Sequence, residues 1–408
     1  MSLDSNAIRA QFPALARTVN GQPAAYLDGP GGTQVPQRVI DAMSGFLARG
    51  GSNLGGKFVS GRETDAVVDG ARQAMADLLN CSPDEVAFGQ NMTSLTLAFS
   101  RAIGRTWHQE DEIIVTRLDH DANVTPWVLA AEDYKVKVRW LDFDTADCTL
   151  RYDELPRLLN ERTQLLAVTC ASNAVGSVTR LHHVIQMAHE MGALVYLDAV
   201  HYLPHYLMDV RALDVDFLVC SAYKFFGPHT GALFGKKALL KELPAYKVRP
   251  APSQPPGKWE TGTQSFESLA GVTAAVDYLA SLGTGSTRRA QLVDAYGRIS
   301  EHGEAISQRF LAGAAEVPGL RVYGITDPQR LRERTPTFAV ALAGHHPDAV
   351  AERLGELGIF VWSGHYYAVP VMERLGLLEK GGLVRIGFTH YNTDEEVDRV
   401  LEALRRMG

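Results

Sequence analysis

The sequence predicts an α/β protein built on a mostly parallel, buried sheet, and three observations carry that expectation. Short apolar runs rich in β-branched residues alternate with helical patterns from about Arg72 to Asp216. The runs are nearly continuous in apolar character, as strands covered by helices on both faces require. Of 408 residues, 46% are hydrophobic and 21% charged, enough to bury a large core rather than leave the chain disordered. At roughly 100–200 residues per domain, the length suggests two or three domains.

Taken in order, Glu85–Phe88 reads as a strand and is followed by a helical stretch near Ser94–Ile103. Further strands are expected at Glu112–Thr116, Val136–Leu141, Leu165–Thr169, Ala193–Leu197 and Asp216–Cys220. His182–Met191 has a helical period, and Gly192 returns the chain to a strand. The Pro- and Gly-rich stretch Ala251–Gly257 reads as a loop. Helices follow at Ser265–Leu282 and, after Gly283-Thr284-Gly285, at Arg288–Ala315. From about Val317 the chain shows its own strand (Phe338–Leu342) and helix (Asp348–Leu357), which reads as a smaller α+β domain joined by the long helix.

Several function classes are disfavoured at once. The net charge of −7, from 40 Lys+Arg against 47 Asp+Glu, gives no basic footprint for nucleic acid or an anionic membrane. No apolar run reaches the roughly 18–20 residues of a spanning helix, and the N-terminus has no apolar signal core. Cys81, Cys148, Cys170 and Cys220 are far apart, form no C-x-x-C pair and mostly sit in apolar strings. They read as reduced thiols of a cytoplasmic protein. Gly231–Lys236 resembles a phosphate loop, but its glycines are too close and Lys237 stands where Ser or Thr belongs. No dinucleotide fingerprint and no G-x-S-x-G elbow occur. His201 and His205 lack the accompanying Glu of a zinc helix, so no metal is expected.

Ligands of parallel sheets bind beyond the carboxyl ends of the strands. Asp198 follows one strand, and Ser221-Ala222-Tyr223-Lys224 follows the next. Alone, a carboxylate and a lysine so placed equally suit a salt bridge at a sheet edge. Met92 and Thr93 open a helix after the first strand, where N–H groups and a hydroxyl can cradle an anion or merely cap. His120 and Asn173 follow two further strands and could stack on a ring and donate into the cleft, or serve only their loops. Pyridoxal phosphate explains the combination. It needs a lysine for its Schiff base, a carboxylate for its pyridine nitrogen, an anion cradle for its phosphate and a flat partner for its ring.

The motifs Asp119-His120-Asp121-Ala122-Asn123-Val124-Thr125-Pro126-Trp127, Asp198-Ala199-Val200-His201 and Ser221–Pro228 resemble those of class V aminotransferases, in the cysteine desulfurase and selenocysteine lyase branch. The resemblance runs from Tyr26-Leu27-Asp28 to Arg385-Ile386-Gly387. It implies the fold-type I architecture, with a mostly parallel seven-stranded sheet in a large domain (residues 26–284). An N-terminal arm (1–25) would pack with a small C-terminal domain (285–408) that includes the linking helix. By resemblance, Lys224 is the Schiff-base lysine, Asp198 the pyridine partner and His120 the stacking ring. Met92, Thr93, Ser221 and Tyr223 lie on the phosphate side; His201 and Asn173 lie near the phenolic oxygen. Arg385 would clamp a substrate carboxylate, near Asn173, His365 and Tyr367. Thr263, in Trp259–Thr263, would reach the phosphate of the other subunit in a homodimer whose active site is shared across the interface.

One departure bears on the reaction. Relatives of this branch carry a nucleophilic cysteine in a small-domain loop, whereas the stretch here reads Trp362–Pro370, with Tyr367 at that place. A phenol with a pKa of about 10 cannot carry sulfur as a persulfide. The expected activity is therefore an aminotransferase or C–S (β-elimination) lyase acting on an α-amino acid. The alternative is a non-catalytic homologue that binds a partner protein.

Overall fold

β-Branched runs become the central strands of a computed structural model that describes residues 3–408. The larger sheet has seven strands: β1 (Val86–Gly89), β2 (Glu112–Thr116), β3 (Lys137–Leu141), β4 (Thr163–Thr169), β5 (Leu194–Asp198), β6 (Phe217–Ser221) and β7 (Gly231–Gly235). Their spatial order is β1-β7-β6-β5-β4-β2-β3. From β6 to β3 all neighbours are parallel, as expected. The reason for their unbroken apolarity is visible in β4: Leu166 and Val168 enter one core cluster, while Leu165 and Ala167 enter the one on the opposite face. Burying each of the Leu and Val side chains stabilises the fold by roughly 1.5–3 kcal/mol relative to its exposed state.

The segment resembling a phosphate loop is instead the strand β7, antiparallel to both β6 and β1. Its glycines serve close packing. A Cβ on Gly231 would lie 2.5 Å from the Asn91 backbone, so β7 can pass the start of the next helix only without a side chain there.

Helices cover both faces, among them α1 (Val59–Leu79), α2 (Met92–Gly104), α3 (Thr125–Tyr134), α4 (Leu181–Glu190) and α5 (Phe266–Ser281). The start of α2 is fixed by a capping box: Asn91 Oδ1 accepts from Ser94 N at 2.9 Å, and Asn91 N donates to Ser94 Oγ at 3.3 Å. The long helix α6 (Arg288–Ala314) leads to a second sheet of β8 (Leu320–Tyr323), β9 (Thr337–Leu342), β10 (Trp362–Gly364) and β11 (Leu383–Gly387). This sheet is wholly antiparallel, in the order β8-β9-β11-β10. Its core stacks Phe310 on Phe338 at 4.1 Å.

Near the N-terminus, Ala25–Tyr26 pairs in parallel with Ile359–Phe360. Arg9 reaches Glu396 at 2.9 Å and the Tyr391 carbonyl at 2.8 Å. The first two residues of the expected N-terminal arm lie outside the described residues. Among the described residues, no helix is long and apolar enough to cross a membrane.

Candidate active site

The parallel strands end on one side of the large sheet, and there a cavity of about 800 Å³ opens toward β10 and β11. Asp198, the last residue of β5, forms part of its floor. One carboxylate oxygen accepts from Val200 N at 2.9 Å. Burial pushes its pKa up to about 6, opposed by that N–H and by the charge of Lys224. Lys224 stands in the 3-10 turn Ala222–Lys224 directly after β6. Its Nζ donates to the Pro30 carbonyl and lies 4.9 Å from the Tyr223 ring centre. Burial brings its pKa down to about 7, with Arg385 acting in the same direction and Asp198 and Asp28 against it. A lysine so placed gives up its proton more readily than a solvated one. The sheet-edge salt bridge does not describe this pair: β5 and β6 are interior strands, and no direct Asp198–Lys224 ion pair forms among the described residues.

The anion-facing end comes from α2. Ser221 Oγ accepts from Met92 N at 2.9 Å, and Met92, Thr93 and Ser94 line the cavity beside it. With Met92 N and Ser94 N already engaged, the Thr93 N–H and the helix dipole favour an anion at this point. His120 follows β2; its Nδ1 accepts from Ala122 N at 3.0 Å, and its ring stacks on Tyr367 at 5.4 Å and 15°. Burial lowers its pKa to about 4, so the imidazole is neutral. Asn173 follows β4. Its Nδ2 donates to the Tyr366 carbonyl at 2.9 Å, and its own carbonyl accepts from Arg385 Nη1 at 3.0 Å.

His201 Nε2 lies 3.1 Å from the hydroxyls of both Thr335 and Thr337. Arg385, on β11, is buried with its guanidinium 4.4 Å from the Tyr366 ring centre. The desolvation that results lowers its pKa to about 10. Tyr223, His365 and Tyr367 complete the lining, and Tyr223 stacks on His229 at 4.7 Å. Thr263 is exposed and does not line this chain's own cavity.

Three buried polar atoms of this wall have no partner: Asn173 Oδ1, His201 Nδ1 and Arg385 Nε. Leaving such atoms unpaired costs about 1–3 kcal/mol each, which a polar ligand would offset. The whole set fits pyridoxal phosphate. It offers an anion cradle, a flat neutral ring, a buried carboxylate free of a direct ion pair, and an amine whose pKa is brought down by burial.

Sequence reasoning missed Asp28, Pro30 and His229. Asp28 carries a buried, unpartnered Oδ1, and burial pushes its pKa up to about 6. Its strand-like neighbours Ala25–Tyr26 were a signal, but the Gly-Pro-Gly-Gly run that follows hid it among turn residues. No cysteine lines the cavity among the described residues. Cys170 and Cys220 are fully buried beneath it, and desolvation pushes both thiols well up.

The model of the aminotransferase class-V family matches residues 25–400. A cysteine desulfurase of Dickeya dadantii is 33% identical over 98% of this chain and 96% of its own length. A probable cysteine desulfurase of Mycolicibacterium paratuberculosis is 34% identical over 99% of this chain, which spans 58% of that relative. Among solved structures, a cysteine desulfurase of Escherichia coli has a TM-score of 0.86 at 26% identity, covering 100% of this chain and 98% of that one. The fold, the strand-end site and these similarities lead to one conclusion: the chain belongs to the class V aminotransferase family of pyridoxal phosphate enzymes.

Proposed function

We propose that this chain acts on an α-amino acid, with Lys224 moving the Cα proton, and that the outcome is amino transfer or β-elimination rather than persulfide formation. The observation that carries the reading is the buried Lys224 amine, lowered to about 7, facing the same cavity as the Asp198 carboxylate without a direct ion pair between them. Pyridoxal phosphate bound there supplies an electron sink for the pair left at Cα.

In this reading Lys224 would hold the cofactor through its amine and would take the proton from the substrate Cα. Asp198 holds a proton on the pyridine nitrogen. Met92, Thr93 and Ser221 grip the phosphate, with Tyr223 beside them. His120 packs against the ring. Asn173 and His201 would lie on the side of the phenolic oxygen, where Asn173 Oδ1 can accept from a phenolic O–H. Arg385 offers its free Nε edge to the substrate carboxylate, a planar match that ammonium cannot make. His365 and Tyr367 stand where the substrate side chain enters.

Persulfide chemistry is disfavoured by the thiols. Cys81 and Cys148 are pushed up to about 12 by burial, and neither they nor the deeper pair line the cavity. A purely partner-binding role leaves unexplained why the fold retains a buried lysine at a desolvation cost. Exposed Leu47, Leu54, Phe58 and Val59 crowd one segment and support a homodimer, in which Thr263 could serve the neighbouring site.

The test begins with colour. The purified protein should be yellow and should give a borohydride-stable adduct that Lys224→Ala abolishes; a colourless protein that takes up no added cofactor would falsify the reading. An amino-acid screen then separates the outcomes. Conversion of bound cofactor to its amine form without an added keto acid marks amino transfer, and pyruvate with a released thiol marks elimination. Sulfide released from cysteine in an alkylation-sensitive manner would restore the persulfide route.

A further inference from the structure

Tyr366 and Tyr367 occupy successive left-handed positions, with φ of +54° and +58°. Bulky side chains rarely adopt this conformation, and two in a row persist only where the surroundings hold them. The holding contacts come from the large sheet. Asp121 N donates to the Tyr367 carbonyl at 2.7 Å, and Asn173 Nδ2 donates to the Tyr366 carbonyl at 2.9 Å. Inside the turn, Tyr367 N donates to His365 Nδ1 at 3.1 Å. The turn thus places the Tyr367 ring on His120, at 5.4 Å and 15°, although Tyr367 itself is 67% exposed.

An aromatic ring has two faces. Tyr367 covers one face of His120, whose Nδ1 is already fixed by Ala122 N, and His120 lines the cavity with Asp198 and Lys224. We infer that Tyr367 is a positioning residue whose ring braces one face of His120, so that the opposite face of the imidazole is held flat against the cofactor ring. The inference rests on the cofactor reading above and assigns the work to the tyrosine ring rather than to its hydroxyl.

The experiment titrates apoprotein with pyridoxal phosphate and reads both the dissociation constant and the visible circular dichroism of the bound cofactor. Wild type, Tyr367→Phe, Tyr367→Ala, His120→Ala and the double Ala variant are compared. Tyr367→Phe should bind within about twofold of wild type. Tyr367→Ala should bind roughly fivefold more weakly, with a smaller dichroic signal, as loss of one stacked pair predicts. In the His120→Ala background the second substitution should add nothing. Because Tyr367 is exposed, folding is unlike a core deletion, and thermal melts of each apoprotein check it.

Tighter or unchanged binding by Tyr367→Ala would overturn the inference, since the ring would then compete with the cofactor or stand idle. So would a Phe variant as weak as the Ala variant, or additive losses in the double variant. Wild type that binds no pyridoxal phosphate sinks the cofactor reading and this inference together. Wild type that binds it without coupling between Tyr367 and His120 sinks only this one.

Discussion

Asp198 and Lys224 stand at the ends of adjacent interior strands, buried, with backbone groups fixing them from below. Across the cavity, Trp362 in β10 and Tyr367 in the loop that follows are 54% and 67% exposed, and that loop is held by contacts to Asp121 and Asn173 despite its strained backbone. The floor is made by parallel strands that cannot shift without disturbing two cores. The rim hangs on β10, a three-residue edge strand. The contrast teaches that, in the proposed reading, the cofactor would be held by the stiff part, while the rim can vary at little structural cost.

Breaking the floor should have the largest effect. Lys224→Ala should lower kcat by at least about 1,000-fold and remove the borohydride-stable adduct in a mass spectrum. Activity within tenfold of wild type would move the reaction centre elsewhere. Asp198→Asn should cost about 100-fold in kcat, yet its effect on the apoprotein has the opposite sign. Burial raises the Asp198 pKa from its usual 3.8 to about 6, so its folded carboxyl favours the proton. That contribution is present below about pH 4 and is lost as pH rises through 6. The apo Asn variant should therefore be the more stable protein at pH 7, by roughly 1–3 kcal/mol, in denaturant melts. A less stable variant would mean that the Val200 N–H and the charge of Lys224 outweigh burial in the apoprotein.

At the junction of floor and rim, Arg385→Lys should raise KM about tenfold and change kcat less, because a point charge replaces a planar fork. A selective loss of kcat would instead place Arg385 in the chemical step. The smallest effect is expected from thiol alkylation of the native holoenzyme. With all four cysteines buried or nearly so, steady-state activity should fall by no more than about twofold.

The floor was legible in the sequence because its signal is simple: a run of apolar residues, then a polar one, repeated from Phe88 to Lys224. Each expected strand lies within two residues of its observed place, and twelve of the thirteen candidate side chains line one cavity, Thr263 being the exception. What escaped depends on contacts between distant segments. Nothing local marks Gly231–Gly235 as an antiparallel strand, since its glycines answer to the Asn91 backbone and to Leu240. Pro30 matters through its carbonyl, a group that every residue has. The stack of Tyr367 on His120 joins two loops that only the packing of the small sheet brings together.

The antiparallel strand β7 has a consequence for biosynthesis. β1 is an edge strand whose sole ladder partner is β7, and β1 leads directly into the helix that lines the anion-facing end. A nascent chain that has emerged through residue 104 has made that helix but has nothing to anchor its strand against. The anchor arrives only when residue 235 is out, on the order of ten seconds later at ordinary rates of synthesis. Arg385 arrives later still. Until then the half-built sheet exposes an unpaired edge, which makes this interval the one in which a ribosome-associated chaperone would have most to protect.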